Sequence, residues 1–204
     1  MPASKPKLAH VGRPRSAAAT SHRAIMDAVY ALLQEMSARD LTMQAVAQRA
    51  GVGKPTLYKW WPSKAALILA MFHERLVEQL KAKPAATVEA TLRVKMSHLI
   101  RAFNGQFGKV MSDLIAEGQS DPSILHELYD HHISVRRAEM VADIERGKTN
   151  GEFHPDTDSE LLVDALVAPI YFRLLFRLVP LTEQYVDELM KQLLQGIQIA
   201  AKRR

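Results

Sequence analysis

Residues 41–67 read LTMQAVAQRAGVGKPTLYKWWPSKAAL and contain both tryptophans of the chain. In the first part of this stretch, Thr42 precedes Val46 and Ala50, two apolar residues at helical spacing. Threonine is a residue type that begins helices as an N-cap, and glycine, here Gly51, commonly ends them in the left-handed conformation. The pattern predicts a short helix that starts after the threonine and stops at the glycine.

A second short helix is predicted directly after this glycine. Pro55 suits its first turn, because the N–H that proline lacks has no helical partner there. Pro62 ends it, because proline disfavours helical backbone in the residue before it. Ala47 and Ala50 are small and let the two helices cross closely. Two short helices joined by a turn built on residues 51–53 are typical of a helix-turn-helix.

The net charge of +5 is unevenly distributed along the chain. Residues 1–83 hold 13 lysines and arginines against 5 acidic residues, a net charge of +8, while residues 84–204 carry −3. A basic surface confined to one part of a chain is expected of a nucleic-acid-binding module. The alternative is that the charges only solvate helix faces, so the charge pattern needs the motif to support it.

The composition narrows the class of protein. The chain has no cysteine, which excludes disulfides, thiolate nucleophiles and cysteine-ligated zinc. Its polar, basic start lacks the apolar segment of a secretory signal. The most apolar stretch, residues 161–179, contains Asp164, Arg173 and Arg177, and three charges are costly in lipid. We expect a cytoplasmic protein without a membrane segment.

The remaining segments follow the helical period, and none shows sustained strand alternation. We predict an all-α fold in which an N-terminal three-helix helix-turn-helix domain is joined to a larger helical C-terminal domain. The expected divisions are a flexible basic arm over 1–17, the helix-turn-helix domain over 18–83 and the C-terminal domain over 84–204. The linker-like KAKPAAT, residues 81–87, marks the boundary. The C-terminal helices are expected near residues 87–104, 107–118, 122–147, 158–179 and 182–202.

The quoted stretch resembles the DNA-binding domain of the TetR family of bacterial transcriptional repressors. The usual pattern of that family is Thr-x3-Val/Ile-Ala-x2-Ala-Gly-Val-x3-Thr-Leu/Ile-Tyr-x2-Phe-x2-Lys-x2-Leu, and about a dozen positions agree between residues 20 and 70. Gly53 stands where a serine cap is common, and Trp61 replaces the usual phenylalanine. The resemblance implies a homodimeric repressor that binds a palindromic operator in double-stranded DNA, responds to a small molecule and is not an enzyme.

The resemblance also implies which residues contact DNA. They are Thr42, Gln44, Lys54, Pro55, Thr56, Tyr58, Lys59, Trp60 and Lys64. Thr42, Tyr58 and Lys64 are expected at phosphates, where contacts position the protein but carry little sequence information. The others, apart from Lys59 and Trp60, are expected at base edges, with Lys54 suited to the acceptors of guanine. The alternative for Lys54 is a merely solvated side chain.

The helical period separates the two neighbouring tryptophans. Residues 57 and 61 share one face of the second helix, so Leu57 and Trp61 are predicted to lie in the core. Tyr58, Lys59 and Trp60 are then predicted to line the DNA-facing surface, the last two at the backbone or the groove edge. The alternative for Tyr58 is that its ring covers the core while its hydroxyl stays in water.

The last two predicted helices carry broad apolar faces. Their members are Leu161, Leu162, Leu166, Ile170, Leu174, Val186, Leu189, Met190, Leu193, Leu194 and Ile197. We expect these faces to form a four-helix interface with a second subunit, as the resemblance also implies. A two-fold dimer sets its recognition helices ~34–36 Å apart, one turn of DNA. The alternative is that the faces close the subunit's own core.

The resemblance implies a cavity for a small-molecule effector in the C-terminal domain. The residues expected to contact the effector are Phe103, Phe107, Met111, Tyr129, His132, Arg136, Tyr171 and Phe172. Leu92, Met96, Leu128 and Ile133 are expected beside them. His132 or Arg136 would be the polar group of the cavity. The alternative is that these apolar residues are plain core.

The segment HELYDHHISVRR, residues 126–137, raises the alternative of a metal site. His126 and Asp130 share a helix face, whereas His131 and His132 point apart, and no motif fixes a third ligand. We therefore expect neither a metal nor another cofactor. Two alternative functions remain open from the sequence: an α-helical enzyme or metal-dependent protein that uses this cluster, and a non-specific architectural DNA-binding protein.

Overall fold

The computed structural model describes residues 15–80 and 85–195. Several expectations lie outside these ranges: most of the basic arm, the start of the linker at 81–84, and the last helix beyond residue 195 with Ile197. The proposed domain boundary therefore stays a prediction.

The described residues form ten α-helices and one π-helical turn. The α-helices are α1 Arg15–Glu35, α2 Met43–Ala50, α3 Lys54–Tyr58, α4 Lys64–Leu80, α5 Val88–Asn104, α6 Gln106–Gly118, α7 Pro122–Leu128, α8 Ser134–Thr149, α9 Ser159–Phe176 and α10 Glu183–Gln195. The π-helical turn, Tyr129–Ile133, joins α7 to α8. The all-α prediction is confirmed, and no strand occurs within the described ranges. None of the helices in these ranges has the length and hydropathy to cross a membrane.

The local signals of the helix-turn-helix act as the sequence predicts. The Thr42 hydroxyl oxygen accepts a hydrogen bond from the Ala45 amide at 3.1 Å, which caps the start of α2. Gly51 ends α2 with a φ of 65°, a left-handed conformation that favours glycine. Gly53 begins α3 without a side-chain cap, as expected where serine is missing. The turn between α2 and α3 is thus fixed by a side-chain cap and by backbone conformation within twelve residues.

The N-terminal domain packs α1 against α2 and α4 around a small core. Leu57 of α3 is completely buried, and Val46 of α2 is buried in the same core as Ile25 and Val29 of α1. Burial of the α3 leucine and of the neighbouring Trp61 holds the short third helix in place. The outer side of α3 is left free.

In the C-terminal domain, α7, the π-helical turn and α8 continue one another, close to the single helix predicted over 122–147. A π-helical turn accommodates an extra residue and often marks a functional site. Here the turn packs against α4, and α4 also contacts α5 and α7. The helix that leaves the helix-turn-helix therefore lies directly on the C-terminal domain.

Polar contacts join the start of α4 and the residues at the end of α1 to the C-terminal domain, among them a hydrogen bond from Gln34 of α1 to Gln106 of α6. Ser63 caps α4 by accepting from the Ala66 amide at 2.9 Å, as its position predicts, and donates to Glu127 of α7 at 2.6 Å. Lys64 forms an ion pair with Glu117 of α6. The Ala38 amide donates to Asp113 of α6 at 3.0 Å. The two domains therefore contact each other through side chains as well as through α4.

The predicted subunit interface needs a correction. Five residues of the predicted faces are buried in the subunit's own core: Leu166, Ile170, Leu174, Val186 and Met190. For these residues the alternative interpretation was right, because α9 and α10 use their broad faces to cover α5. The apolar residues left exposed near the two helices are Leu161, Phe172, Leu175, Phe176, Leu178 and Val179. An unpartnered apolar surface thus exists, but most of it lies at the end of α9.

Candidate nucleic-acid interface and effector cavity

The recognition unit, α2 and α3 with their turn (residues 42–61), presents a basic outer surface. Lys54 and Pro55 are exposed at the start of α3, and Thr56 is half-buried. On α2, Gln44 is exposed beside Thr42. These side chains lie at the starts of two short helices, which is where base contacts were predicted.

The two tryptophans have the different environments that the helical period predicts. Trp61 is 8% exposed, and its ring lies 5.4 Å from that of His22 on α1. Trp60 is 61% exposed, and the Lys59 ammonium lies 5.7 Å from the centre of its ring. Tyr58 is also exposed. One indole therefore belongs to the core, and the other stands beside an ammonium on the outer surface.

The electrostatics of this surface come from two lysines. No acidic residue occurs between residues 41 and 73. Arg49 donates to Glu35 at 2.7 Å, and this hydrogen bond lowers the pKa of the exposed Glu35 carboxyl, so the arginine is neutralised locally. Within the described ranges, Lys54 and Lys59 have no carboxylate at ion-pair distance. The unit therefore offers unpaired positive charge at the end and along the side of α3.

Lys64 lies in a different environment from the exposed one expected of a phosphate-binding lysine. Its side chain is 20% exposed, and its ammonium lies 3.0 and 3.1 Å from the two carboxylate oxygens of Glu117. It also donates to the Arg39 carbonyl at 3.1 Å. Phosphate contact by Lys64 stays a prediction. It requires the ammonium either to contact the phosphate while it is still paired with Glu117 or to leave Glu117.

The second candidate site is a cavity of about 400 Å³ in the C-terminal domain. It lies between α5, the π-helical turn, α8 and α9. The residues that line it are Lys95, Met96, Leu99, Tyr129, Ile133, Arg136, Arg137, Glu139, Met140, Val163, Asp164, Val167, Ala168 and Tyr171. Of the predicted effector contacts, Tyr129, Arg136 and Tyr171 line this cavity. Cavities of this size accommodate small organic molecules.

The other predicted effector contacts lie elsewhere. Phe172 is 57% exposed and stacks on Phe176 with ring centres 4.6 Å apart, so it faces away from the core. Phe103, Phe107 and Met111 are buried but do not line the cavity, because they fill the core between α5 and α6. Their burial favours the alternative of plain core for these three residues.

His132 is buried against the Phe107 ring, 5.1 Å away, and does not line the cavity either. Burial, followed by the nearby charges of Arg136 and His73, lowers the pKa of His132 to about 3. Its imidazole is therefore neutral at physiological pH. His126 and Asp130 are exposed instead. Within the described ranges, no three histidine or acidic side chains come together as a metal site would require.

Sequence reasoning missed nine of the fourteen residues that line the cavity, including Lys95, Arg137, Glu139 and Asp164. A partial signal existed in Asp164, a charged residue inside the most apolar stretch of the chain. In the structure it accepts a hydrogen bond from Arg137 at the cavity wall. A carboxylate in such a stretch indicates a polar partner nearby, although the sequence does not say which one.

A basic, exposed helix-turn-helix on a larger helical domain with a cavity between its helices defines a DNA-binding transcriptional regulator of the helix-turn-helix class. Residues 25–71 match the family described as bacterial regulatory proteins, tetR family, and residues 82–193 match the tetracyclin repressor-like C-terminal domain. The chain belongs to the TetR family of transcriptional regulators. This class is non-enzymatic, so the alternative of an α-helical enzyme is wrong.

The chain is similar along most of its length to known members of this class. It is 31% identical over 187 residues to the HTH-type transcriptional regulator YdeS of Bacillus subtilis (strain 168), covering 92% of this chain and 93% of that protein. The solved structure of the TetR family transcription regulator SCO0332 superposes with a TM-score of 0.77 at 29% identity, covering 88% and 99% of the two chains. FadR from Bacillus subtilis, solved in complex with stearoyl-CoA, superposes with a TM-score of 0.66 at 18% identity, covering 87% and 100%, and shares the fold alone.

Proposed function

We propose that this protein is a cytoplasmic, ligand-responsive repressor that binds a palindromic operator as a homodimer. The observation that carries the proposal is the exposed recognition unit, in which Lys54, Lys59 and Trp60 lie in a stretch of sequence without acidic residues. A polyanion is the ligand that such a surface favours.

Contacts to the DNA backbone position the recognition unit. Tyr58 is exposed, and its phenol O–H donates a hydrogen bond to a phosphate. The Thr42 hydroxyl oxygen caps α2 by accepting a hydrogen bond, so its O–H is still available as a donor to a phosphate. Lys59 and Trp60 contact the backbone or the groove edge. Lys64 adds a phosphate contact when its ammonium leaves Glu117.

Base contacts come from the side chains at the starts of the two short helices. Lys54 donates to the O6 and N7 acceptors of guanine, and Gln44 pairs with a base edge from α2. Pro55 and Thr56 contact thymine methyl groups. Because these residues stand at the start of α3 and beside Thr42, insertion of α3 into the major groove brings them to the bases first.

Dimerisation through the last two helices is supported by the apolar surface at the end of α9. Phe172 and Phe176 stack on each other, and Phe176 is 60% exposed. Leu178 and Val179 continue the exposed surface beyond the helix. A contiguous aromatic and aliphatic patch is typical of an interaction site, and a two-fold copy of the same patch is complementary to it.

The helices around the cavity connect a bound ligand to the DNA-binding domain. Tyr129 and Ile133 of the π-helical turn line the cavity, and the same turn packs on α4. The start of α4 is tied to α6 and α7 through Lys64 and Ser63. A ligand that binds better to one arrangement of these helices changes the spacing of the two recognition units and weakens their fit to successive grooves.

The experiment selects bound DNA from a random pool and measures affinity for the recovered duplex and for a scrambled one. We expect a palindrome, and we expect the double substitution Lys54→Ala with Tyr58→Ala to reduce specific affinity by about 100-fold. Lys109→Ala, which removes an exposed lysine of α6, is the control and leaves affinity unchanged. Unchanged binding by the double variant, or equal affinity for scrambled DNA, contradicts the proposal.

A further inference from the structure

The cavity has mostly apolar walls, with a small number of polar groups among them. Met96 and Leu99 of α5, Ile133, and Val163 and Val167 of α9 supply much of the surface. Such walls favour the apolar body of a ligand. The polar groups then decide which chemical class of molecule fits.

Two of the three cations in the wall are already paired. The Lys95 ammonium lies 2.6 Å from Asp143 and 3.8 Å from Glu139. The Arg137 guanidinium lies 2.6 Å from Glu160 and also bonds Asp164. Their charges are balanced by protein carboxylates, so neither cation needs a ligand.

Arg136 differs from these two cations. Its guanidinium has no hydrogen bond or ion pair with any residue in the described part of the chain. Burial lowers its pKa, and the nearby Glu139 only partly offsets this effect. An arginine stays charged even so, and a half-buried charge without a partner is costly. The cavity therefore contains one cation that no carboxylate of its walls contacts directly.

Tyr171 adds a hydrogen-bond donor next to this cation. Burial raises the pKa of the Tyr171 phenol to about 12, and the neighbouring Arg136 charge opposes the shift only in part. The phenol is therefore neutral and keeps its proton. Like the Arg136 guanidinium, the Tyr171 hydroxyl forms no hydrogen bond with any residue that the structure describes. A guanidinium and a phenol at one apolar cavity form a pair of donors for one anionic group.

We propose that the effector is a small organic acid with an apolar body, whose anionic group binds Arg136 and Tyr171. The inference rests on the proposed ligand response and names the class of ligand. A cationic ligand fits poorly, because Asp164 is taken by Arg137 and Glu139 is exposed beside Lys95. A neutral ligand would leave the Arg136 charge unpaired.

The test compares three probes with one apolar body: 5-phenylvalerate, 5-phenylpentanol and 5-phenylpentylamine. Calorimetric titration of the full chain is expected to give about tenfold tighter binding for the carboxylate than for the alcohol, with the amine weakest. Arg136→Met is expected to abolish the preference and leave the alcohol unaffected, while Arg136→Lys retains part of it. Arg146→Met, on the same helix but outside the cavity wall, is the matched control and keeps the full preference.

A structural role for Arg136 would give different results. Arg136→Met without ligand is expected to raise the midpoint of thermal unfolding, because it removes an unpaired charge from a half-buried position. A lower midpoint together with unchanged carboxylate preference overturns the inference. Equal affinity for acid and alcohol in the unsubstituted protein also overturns it, as does an absence of carboxylate binding at millimolar concentration.

DNA affinity, measured separately with and without 5-phenylvalerate, distinguishes this inference from the proposed function. Carboxylate binding that depends on Arg136 but leaves DNA affinity unchanged supports the ligand class and contradicts the ligand response. Release of DNA by the alcohol and the acid alike supports the response and overturns the ligand class.

Discussion

Positive charge is held in two different ways in the two parts of this molecule. In the recognition unit, Lys54 and Lys59 are exposed and unpaired within the described ranges, in a stretch of sequence without acidic residues. In the cavity, Arg136 is half-buried among cations that are already paired. Exposed charges attract a ligand over a distance that becomes shorter as the salt concentration rises. A half-buried charge acts mainly on a ligand group at hydrogen-bond distance. The first arrangement suits a polyanion, and the second suits one small anion.

The role of the exposed charges in DNA binding depends first on the dimer, since only two linked recognition units can bind a palindrome. Phe176→Asp places a charge in the exposed aromatic patch and is expected to give monomers in sedimentation experiments. DNA affinity then falls by about 1,000-fold, because the second unit no longer binds at high effective concentration. Carboxylate binding in the cavity is unaffected. Val135→Asp, at an exposed apolar position of α8, is the control; monomers from both variants, or dimers from both, would remove α9 from the interface.

The adjacent tryptophans separate the stability of the recognition unit from its binding. Trp61→Ala is expected to cost about 3–5 kcal/mol of unfolding free energy, because it opens a large hole in a small core. Trp60→Ala is expected to cost within about 0.5 kcal/mol, because its ring is in solvent, but to weaken DNA binding. Chemical denaturation and duplex titration measure the two effects. Equal destabilisation by both substitutions would contradict the assignment of faces.

The sequence predicts the recognition unit almost residue by residue, because its determinants are local. The threonine cap, the left-handed glycine, the early proline and the spacing of Leu57 and Trp61 all act within 20 residues. Lys64 shows the limit of such signals. Its partner, Glu117, lies 53 positions away, and no local pattern indicates that the two will meet.

The cavity could be predicted only in part, because residues from distant segments form it. Periodicity identifies apolar faces but does not distinguish a side chain that fills the core from one that borders a space. Phe103 and Met111 fill the core, whereas Tyr171, with a similar pattern, lines the cavity. Phe172, next in sequence, points outward instead. Only the packing of α5, α8 and α9 decides among these outcomes.

Salt concentration distinguishes the two kinds of charge directly. A dimer that brings Lys54 and Lys59 of both subunits against the DNA displaces about four counterions, and it should lose about 100-fold in DNA affinity between 50 and 200 mM salt. Lys59→Gln should lower the logarithmic slope by about two, because each dimer loses two cations. Binding of 5-phenylvalerate at the half-buried Arg136 should change only about twofold over the same range. A shared salt dependence would show that the cavity is as open to solvent as the DNA surface.

The smallest expected effect concerns His132, which is enclosed as a neutral group beside the charged Arg136. Its pKa is about 3 in the folded chain and ~6.5 when unfolded, so the unfolded chain binds more protons between these values. Protonation of His132 in the unfolded chain therefore has no effect on the unfolding free energy above pH 7, and it lowers that free energy as the pH falls below about 6.5. Between pH 7 and 5 it amounts to about 2 kcal/mol of unfolding free energy.

Replacing this imidazole tests whether its burial keeps His132 unprotonated in the folded chain, as the packing around it implies. His132→Phe keeps an aromatic ring against Phe107 and should remove this part of the pH dependence. His126→Phe, at an exposed position, is the matched control and should leave it in place. Chemical denaturation at pH 7 and pH 5 gives the difference. If His132→Phe loses as much stability on acidification as the unsubstituted protein, the imidazole accepts a proton in the folded state, and the region around Arg136 is more polar than its contacts indicate.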